Sequence, residues 1–264
     1  MAEHPVRLDV HDEVATITLD SPGNRNALSR ALVAGLNAAL DDALAGEARV
    51  IVLTHCPPAF CAGADLKERA AAGGSTPAGS SSSPMVRAMR VLMESDVPTI
   101  AAVKGPVRAG GIGVMAACDL VVVDPAVDFA FTEVRIGVAP AIISVPILRR
   151  VGAAQLTAPF LTGQVFDADH ARQIGLVTHV SADVDATVAG LCAAIVSSAP
   201  AATAATKRLL HEVPGLPLDE AFSRMQALSE ALFGGAEAAE GITAFVEKRS
   251  PRWPPRAGRA TELS

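Results

Sequence analysis

Two glycine turns and one carboxylate are the residues whose types and spacing could support chemistry in this sequence. Gly110, Gly111 and Gly113 follow a short apolar run at residues 99–103 and lead into a second apolar run. This pattern predicts a strand, a glycine turn and the first turn of a packed helix. Backbone N–H groups at a helix start lack internal partners, and glycine lets a ligand approach them. Such a place suits a developing oxyanion or a phosphate.

A second turn of this kind lies upstream of the first. Gly63 precedes Ala64 and allows an unusual backbone angle, so the N–H of Ala64 would be exposed at the turn. Both turns also have a simpler interpretation. The downstream glycines are consistent with close packing of a helix on a strand. Asp65 and Lys67, which follow Ala64, are consistent with a helix cap and a solvated side chain.

The carboxylate is Glu133, which follows an apolar strand pattern and precedes an apolar loop. Three apolar residues flank it in the sequence, namely Phe131, Val134 and Ile136. Apolar walls disfavour the charged form and raise a carboxyl pKa toward the range of a general acid or base. The alternative is an ordinary ion pair of Glu133 with Arg135 or Arg108.

The elements that must position these residues follow from apolar periodicity in a chain of 264 residues, of which 50% are hydrophobic. Alternation over residues 6–20 predicts a hairpin, and Ser29 and Gly46 are the predicted cap and end of a helix. Continuous apolar runs predict buried strands at residues 50–54, 99–103, 120–123, 129–131 and 176–180. Helical spacing predicts helices at residues 30–45, 85–94, 144–151, 153–161, 168–174, 184–198, 200–211, 218–233 and 236–247.

Strands alternating with helices, followed from residue 183 by helices alone, predict an α/β fold with a helical C-terminal part. We expect a core over residues 1–199 and a C-terminal helical region over residues 200–264. Residues 70–84, within the core, are rich in Gly and Ser, which predicts a mobile surface loop and not a domain linker, because strands continue on both sides of it.

Composition excludes several classes of protein. The formal net charge of −6 argues against a nucleic-acid-binding protein and against a polybasic membrane anchor. The four cysteines lack CxxC spacing and the six histidines lack HxxxH spacing, so we expect no metal site. Reduced thiols suit the cytoplasm, which is the expected location. The N-terminus lacks a signal-peptide pattern, and no apolar run reaches membrane-spanning length, so no membrane association is expected.

Several segments together resemble the enoyl-CoA hydratase/isomerase (crotonase) superfamily, in that family's order and over nearly the whole chain. The matching segments are residues 24–28 (NRNAL), 60–67 (FCAGADLK), 109–113 (AGGIG), 117–119 (ACD), 131–140 (FTEVRIGVAP), 162–177 and 245–249 (FVEKR). The resemblance implies an α/β, crotonase-like spiral of ββα turns. It also implies a C-terminal helical region that assembles a homotrimer or homohexamer and covers the CoA site.

The resemblance assigns roles to the two turns and to the carboxylate. Ala64 and Gly110 would supply the two backbone N–H groups that bind the thioester oxygen, and Glu133 would be the catalytic carboxylate. The partner would be an acyl-CoA thioester, and because coenzyme A is part of that substrate, no separate cofactor is expected. The residues that the resemblance places at the substrate or CoA are Arg25, Asn26, Ala27, Ala62, Asp65, Leu66, Lys67, Gly111 and Lys248.

One position departs from the pattern of the family. Hydratases of this kind often carry two glutamates, and the second falls on Gly113, which has no side chain. The chain therefore resembles a single-glutamate member. The resemblance implies an enoyl-CoA hydratase that adds water across the 2,3 double bond of a 2-enoyl-CoA. The alternatives are a Δ3-Δ2-enoyl-CoA isomerase and a non-catalytic acyl-CoA-binding protein.

Overall fold

A computed structural model describes residues 4–71 and 83–253, and within them the strands form two sheets. The strands are β1 (Val6–His11), β2 (Val14–Leu19), β3 (Val50–His55), β4 (Thr99–Val103), β5 (Val107–Arg108), β6 (Leu120–Val123), β7 (Asp128–Ala130), β8 (Phe166–Asp167) and β9 (His179–Val180). The larger sheet has the order β1-β2-β3-β4-β6-β9, and the smaller one has the order β5-β7-β8. The predicted mobile loop at residues 70–84 lies outside the described residues except at its ends.

The larger sheet is parallel apart from its first hairpin. β1 and β2 pair antiparallel, with Val6 opposite Leu19, and each later neighbour pairs in parallel. All five residues of β4 are buried, as expected of a central strand that is covered on both faces. The continuous apolar runs at residues 50–54, 99–103 and 120–123 are therefore correctly predicted as buried strands.

The helices follow the predicted periodicity closely. They are α1 (Arg30–Ala45), α2 (Leu66–Ala71), α3 (Pro84–Glu94), α4 (Gly110–Ala116), α5 (Ala141–Leu148), α6 (Ala153–Thr162), α7 (Ala168–Gln173), α8 (Val184–Val196), α9 (Pro200–Glu212), α10 (Leu218–Phe233) and α11 (Ala236–Val246). The Ser29 hydroxyl accepts the N–H of Leu32, and Asp167 accepts the N–H of His170. Both are the predicted caps, which satisfy N–H groups that the helix itself leaves unpaired.

The chain rises through repeated ββα turns. β4 joins the larger sheet, β5 joins the smaller sheet, and α4 follows. The next turn repeats this order, with β6 parallel to β4 and β7 parallel to β5. A 3-10 helix (Thr132–Ile136) and α5 complete that turn. The structure thus confirms the predicted spiral, and it places the loops after β5 and β7 beside each other.

The core lies mainly on one face of the larger sheet. Ile51 and Leu53 of β3 point into a large cluster with residues of α1, α3 and α4, whereas Val50 and Val52 point to the other face. This alternation follows from the two-residue period of a strand. α8 covers the second face and contributes Val188 to it. The catalytic candidates of the sequence lie on the side of the large cluster.

Three details differ from the sequence-based expectations. β5 was not expected, because its two described residues give no periodic signal. α5 begins at Ala141 and not at residue 144, since Pro140 stands at its cap. The last strand of the core is limited to His179–Val180, because the N–H groups of Leu176 and Val177 donate to the Ala171 carbonyl of α7 and not to a neighbouring strand.

The C-terminal helices expose much apolar surface. Phe222 and Phe233 of α10 are 69% and 73% exposed, and Phe245 of α11 is 84% exposed. In the described residues, no single helix has the length and apolarity needed to cross a membrane; one bent pair, Val184–Val196 with Pro200–Gly215 at 112°, satisfies both conditions together.

Candidate active site

The Gly63–Ala64 turn is fixed from both sides by the segment before α1. The N–H of Ala62 donates to the carbonyl of Arg25 at 3.1 Å, and the N–H of Leu28 donates to the carbonyl of Gly63 at 2.7 Å. Gly63 has a φ of +90°, a backbone conformation that L side chains rarely adopt. The chain therefore reverses sharply just before α2 and leaves Ala64 at the turn.

The two glycine turns meet in space. A Cβ built on Gly63 would lie 3.0 Å from Ala109 Cβ and 3.4 Å from the Arg108 carbonyl oxygen. Ala109 has a positive φ of 48° and directly precedes Gly110, the first residue of α4. A Cβ on Gly110 would lie 2.7 Å from Leu28 Cδ1, the residue that also bonds to Gly63. The two predicted helix starts, at Ala64 and at Gly110, therefore lie next to each other and form one site.

Two backbone donors at this place have no acceptor among the described residues. No hydrogen bond from the described part of the chain uses the N–H of Ala64 or the N–H of Gly110. Both residues are half-buried, so a small atom can reach them while bulk water is partly excluded. Two unpaired N–H groups at adjoining turns are the arrangement that binds an oxyanion.

Glu133 is attached to the same place through the backbone. The N–H of Ala109 donates to the carbonyl of Ala130 at 2.9 Å, and Glu133 follows three residues later in the 3-10 helix. Its Oε2 atom is buried without a hydrogen-bond partner in the described residues. Burial raises the pKa of Glu133 above the ordinary glutamate value. The carboxyl group is therefore poised to exchange a proton.

The ion-pair alternative for Glu133 is wrong. Arg108 instead forms a two-pronged pair with Asp128, at 2.9 and 3.0 Å. Arg135 donates from Nε to the carbonyl of Thr162 at 3.2 Å. Both arginines thus support the backbone around Glu133 without neutralising its charge.

The apolar walls of Glu133 are only partly those expected. Phe131 is fully buried and Val134 is half-buried. Ile136 is 54% exposed, because the 3-10 helix turns it outward, so within one chain it does not shield Glu133. Burial raises the pKa of Glu133 even though Ile136 is exposed.

Gly163, the residue that follows α6, lies against the backbone of the 3-10 helix that carries Glu133. Gly163 caps α6 with a φ of +61°. A Cβ there would lie 2.9 Å from the Phe131 carbonyl oxygen and 3.0 Å from Arg135 Nε. Only glycine permits this approach, so the turn at Gly163 fixes the backbone on both sides of Glu133.

The space beside Gly113 is filled. A Cβ on Gly113 would lie 2.4 Å from Ile143 Cγ2 and 2.6 Å from Ile143 Cβ. Ile143 belongs to α5, which packs directly against α4. Gly113 therefore carries no acid, and the apolar side chain of Ile143 fills the space that the side chain of a second acid would occupy.

The capping interpretation of Asp65 is confirmed. Its Oδ1 atom accepts the N–H groups of Lys67 and Glu68, both at 3.1 Å, and its Oδ2 atom accepts from Asn24 Nδ2 at 3.2 Å. These bonds, led by the one from Glu68, lower the pKa of Asp65. The Asp65 carboxylate is thus engaged by hydrogen bonds within the chain, and these bonds fix the backbone next to Ala64. Lys67 is exposed.

Three other residues that were assigned to ligand contacts are held in the interior. The Asn26 side chain is fully buried, accepts from the N–H of Ser21 and donates to the carbonyls of Cys56 and Ala59. It leaves only its backbone for a ligand. Gly111 and Ala27 are also buried, and a Cβ on Gly111 would lie 2.5 Å from Cys61 Cβ. Gly111 therefore has a packing role.

The remaining assigned residues are on the surface. Arg25, Ala62 and Leu66 are exposed beside the Ala64 turn, at the position expected for residues that contact a ligand entering from solvent. Arg25 has a positive φ of 56°, which directs the chain into the buried Asn26.

Among the described residues, no contact brings Lys248 to this place. It follows α11, whose Glu237 accepts the N–H of Ala201 at 3.0 Å. Trp253 Nε1 then donates to the carbonyl of Ser197 at 2.7 Å. These contacts hold the end of the chain near the junction of α8 and α9, and α8 covers the sheet face opposite to α4.

Sequence reasoning missed two residues that shape the place. Asn24 was given no role beyond its place in the NRNAL segment, yet its side-chain amide donates to Asp65, and its Oδ1 atom is buried without a partner in the described residues. Ile143 gave no signal because it stands in an apolar run and its neighbour Gly113 is distant in the sequence. The first could have been suspected from the polar residue in the NRNAL segment; the second could not.

Comparison with known proteins places this geometry in a family. The sequence pattern described as "Enoyl-CoA hydratase/isomerase" matches residues 9–256. A protein of Thermus thermophilus, provisionally named as an enoyl-CoA hydratase, is 38% identical over 91% of this chain and 97% of its own length.

Solved structures agree. The crystal structure of an enoyl-CoA hydratase from Mycobacterium smegmatis matches with a TM-score of 0.85 at 30% identity, covering 95% of this chain and 99% of that one. An enoyl-CoA hydratase from Shewanella pealeana matches with a TM-score of 0.90 at 25% identity, covering 96% and 97%.

Proposed function

The chain belongs to the enoyl-CoA hydratase/isomerase family, and from this premise we propose that it is an enoyl-CoA hydratase acting on a 2-enoyl-CoA thioester. The observation that carries the proposal is the buried Glu133 Oε2 atom, which has no hydrogen-bond partner among the described residues and is linked through the backbone to two N–H donors that find no acceptor there. Coenzyme A is part of the substrate, and no further cofactor is needed for this reaction.

The two donors would hold the charge that develops during addition. When a nucleophile adds to Cβ of a 2-enoyl thioester, the electron pair of the double bond moves toward Cα and on to the thioester oxygen. The N–H groups of Ala64 and Gly110 would bind that oxygen more strongly as its charge grows. One such donor typically contributes about 10²–10³ in rate.

Glu133 would move both protons. As a carboxylate, it accepts a proton from water while the water oxygen forms a bond to Cβ, which leaves an enolate at the thioester. The carboxyl group, now neutral, then returns its proton to Cα and regains its charge. A raised pKa helps both steps, because it brings the acid and base forms closer in free energy at working pH.

The Gly113–Ile143 contact supports a mechanism with one carboxyl group. Ile143 occupies the space beside Gly113, so a second acid has no room on α4. The same contact favours the second candidate, a Δ3-Δ2-enoyl-CoA isomerase. In that reaction Glu133 would carry one proton between Cγ and Cα, and water would not be needed.

The apolar surface of α10 and α11 supports the proposal of a homotrimer or homohexamer. Leu218 and Phe222 are 71% and 69% exposed on α10, and Phe245 is 84% exposed on α11. Side chains of this size are normally covered, and a second copy would cover them. In such an assembly, Lys248 of one chain would be available to the CoA site of another. Light scattering at micromolar concentration tests this, and a monomer would contradict it.

An activity assay decides between the candidate functions. The purified protein is incubated with crotonyl-CoA, and in parallel with a 3-enoyl-CoA, while the 2,3 double bond is followed by its absorbance. Loss of crotonyl-CoA absorbance indicates hydration, and formation of a 2-enoyl-CoA from the 3-enoyl ester indicates isomerisation. Glu133→Gln should abolish whichever reaction occurs, whereas Glu47→Gln, an exposed residue of the same type, should not.

A non-catalytic acyl-CoA-binding protein would give neither reaction but would still bind the thioester. Calorimetric titration with a saturated acyl-CoA therefore accompanies the assay. Binding without turnover of either ester by the native protein would overturn the proposal.

A further inference from the structure

A cavity of about 640 Å³ opens between α3, α5 and α9, beside the candidate active site. Its relation to the two N–H donors follows from the directions of three helices. At the start of α3, Met85 Cε lies 3.8 Å from a Cβ built on Gly110. Near the start of α5, Ile143 fills the space at Gly113. α3, α4 and α5 therefore begin together at the glycine turn.

The same three helices also end together. The Thr99 hydroxyl oxygen lies 3.3 Å from the Leu92 carbonyl oxygen of α3 and 3.0 Å from the carboxylate of Asp119, which closely follows α4. Arg150, just after α5, donates to the carbonyls of Cys118 and Asp119. The groove between α3 and α5 thus runs from the glycine turn to the Asp119 end. The seven residues of α4 correspond to about 10 Å at a helical rise, and Asp119 follows three residues after the end of this helix.

The groove changes character along this length. Its walls are mainly apolar, and the apolar residues that line it are Val86, Met89, Met93, Ile142, Val145 and Pro146. Ile142 and Val145 are 48% and 57% exposed although they face the cavity. Flexible methionine side chains adapt to chains of varied shape. This stretch fits the methylene groups of an acyl chain that enters from the glycine turn.

The far end of the groove is cationic. Among the described residues that line it, four are Lys or Arg and two are Glu, in a protein whose net charge is −6. Arg90 pairs with Glu94, Lys207 pairs with Asp119, and Arg208 pairs with Asp96.

Arg149 is the exception. In the described part of the chain, Arg149 has no acidic partner. It stands one residue after α5, at the end of the apolar stretch, and lines the cavity together with His211. His211 Nε2 lies 3.8 Å from an Asp119 oxygen, so it too bounds the far end. An unpaired guanidinium beside an apolar channel suits a ligand with an anionic end.

We propose that this groove holds the acyl group of the substrate and that Arg149 selects acyl groups with a carboxylate at their far end. The preferred substrate class is then a medium-chain 2-enoyl-CoA with a terminal carboxylate. This inference rests on the proposed function, since it extends the acyl group from the same two N–H donors. The methylene groups lie along α3 and α5, and the carboxylate pairs with Arg149.

Competing substrates test the preference directly. kcat/KM is measured for trans-2-decenoyl-CoA and for the matching ester whose last carbon is a carboxylate, with crotonyl-CoA as a short reference. The native enzyme should favour the carboxylated ester over the uncharged one by about threefold to tenfold, the range of a partly exposed charge pair. Raising the salt concentration should reduce this ratio, because the pair is open to solvent.

Variants locate the preference. Arg149→Gln should bring the ratio of the two kcat/KM values close to one or below, and Arg149→Lys should keep part of it. Arg172→Gln, which changes an exposed arginine of α7 outside the groove, should leave the ratio as in the native enzyme. A native ratio of one or less, or an Arg149→Gln ratio equal to the native one, would overturn the inference.

Failure of the groove inference can be distinguished from failure of the proposed function. If crotonyl-CoA is hydrated and no preference for the carboxylate appears, the groove inference fails and the proposed function stands. If no ester is hydrated, the proposed function fails. The inference is then tested by calorimetric titration with a saturated ω-carboxyacyl-CoA and its uncharged counterpart: equal affinities of the native protein would overturn it, and a preference that Arg149→Gln removes would support it.

Discussion

The ammonium group of Lys207 lies 2.9 Å from the carboxylate of Asp119, and this contact ties the C-terminal helices to the core. Lys207 is only 5% exposed and also donates to the carbonyls of Leu92 and Val97. Asp119 accepts in addition from the N–H of Thr99. Burial alone would raise the pKa of Asp119, but His211 and Lys207, which lie beside the carboxylate, outweigh burial and lower the pKa.

The first prediction concerns this pair. Asp119→Asn leaves the buried Lys207 without a counter-charge, so it should lower the free energy of unfolding by about 3 kcal/mol. Turnover at saturating substrate should change little, because Asp119 touches neither N–H donor. Denaturant unfolding of the native protein and the variant, beside kcat, checks both parts. A large fall in kcat with unchanged stability would give Asp119 a role in the reaction.

Acid should reproduce part of that loss. A carboxyl group whose pKa is lower when folded than when unfolded stabilises the native state above the unfolded value, near 3.9. This stability is lost as pH falls through the lower, folded pKa. As pH falls below the unfolded value of about 3.9, the native protein should therefore lose stability more steeply than Asp119→Asn does.

The second prediction concerns Glu133. Glu133→Gln keeps the shape of the side chain but cannot exchange a proton, so turnover should fall by about 10²-fold or more. The variant should not be less stable than the native protein, because it removes a charge that is buried without a partner. Steady-state kinetics and thermal unfolding of the same preparations check this, with Glu47→Gln as the control. Near-native turnover would remove Glu133 from the mechanism.

The third prediction concerns pH. The hydration mechanism starts from the Glu133 carboxylate, so kcat/KM should fall when that group is protonated in the free enzyme. Burial raises the pKa of Glu133, so the fall should be centred above the ordinary glutamate value of about 4.3. A pH–rate profile on crotonyl-CoA measures this. A midpoint at or below the ordinary value would contradict the buried, unpaired state.

The fourth prediction concerns Gly113 and Ile143. Gly113→Glu should destabilise the protein by about 1–3 kcal/mol through overpacking and should not raise the hydration rate. Adding Ile143→Ala opens the space, so the double variant should regain stability relative to Gly113→Glu alone. Unfolding of the two single variants and the double variant gives the coupling energy. Additive effects would mean that the two positions do not compete for the same space.

The fifth prediction concerns the cap next to Ala64. Asp65→Ala removes three hydrogen bonds that hold this turn, so it should cost about 1 kcal/mol of stability and about tenfold in kcat. Asp65→Asn keeps an acceptor for the cap and should recover most of kcat. Equal losses for both variants would show that the negative charge, and not the cap, is what the reaction needs.

Much of the fold could be predicted from the sequence because its signals are local. The Ser29 and Asp167 caps and the apolar runs of β3, β4 and β6 depend on neighbours within a few residues. The limits of β9 could not be predicted, because the N–H groups of Leu176 and Val177 before it bond to the end of α7, a contact that the apolar run itself does not indicate.

The candidate site likewise has features with a local sequence signal and contacts without one. The Ala64 and Gly110 turns carry a glycine signature, and a lone carboxylate in an apolar setting marks Glu133. Whether Glu133 pairs with Arg108 depended on Asp128 lying in reach of that arginine, which only the register of β5 and β7 decides. The contact between Ile143 and Gly113 could not be predicted, because it joins two different helices and neither segment carries a local sequence signal for it.

The donors at Ala64 and Gly110 belong to peptide bonds, and this limits what side-chain mutagenesis can reveal. An alanine scan would leave the first position unchanged and would report at the second only the crowding of a methyl group against Leu28. The catalytic contribution that we propose for these two N–H groups would go unnoticed. Replacing either amide with an ester linkage, by semisynthesis, would delete one N–H while keeping both side chains as they are. The most important atoms of this site are therefore ones that the genetic code does not vary.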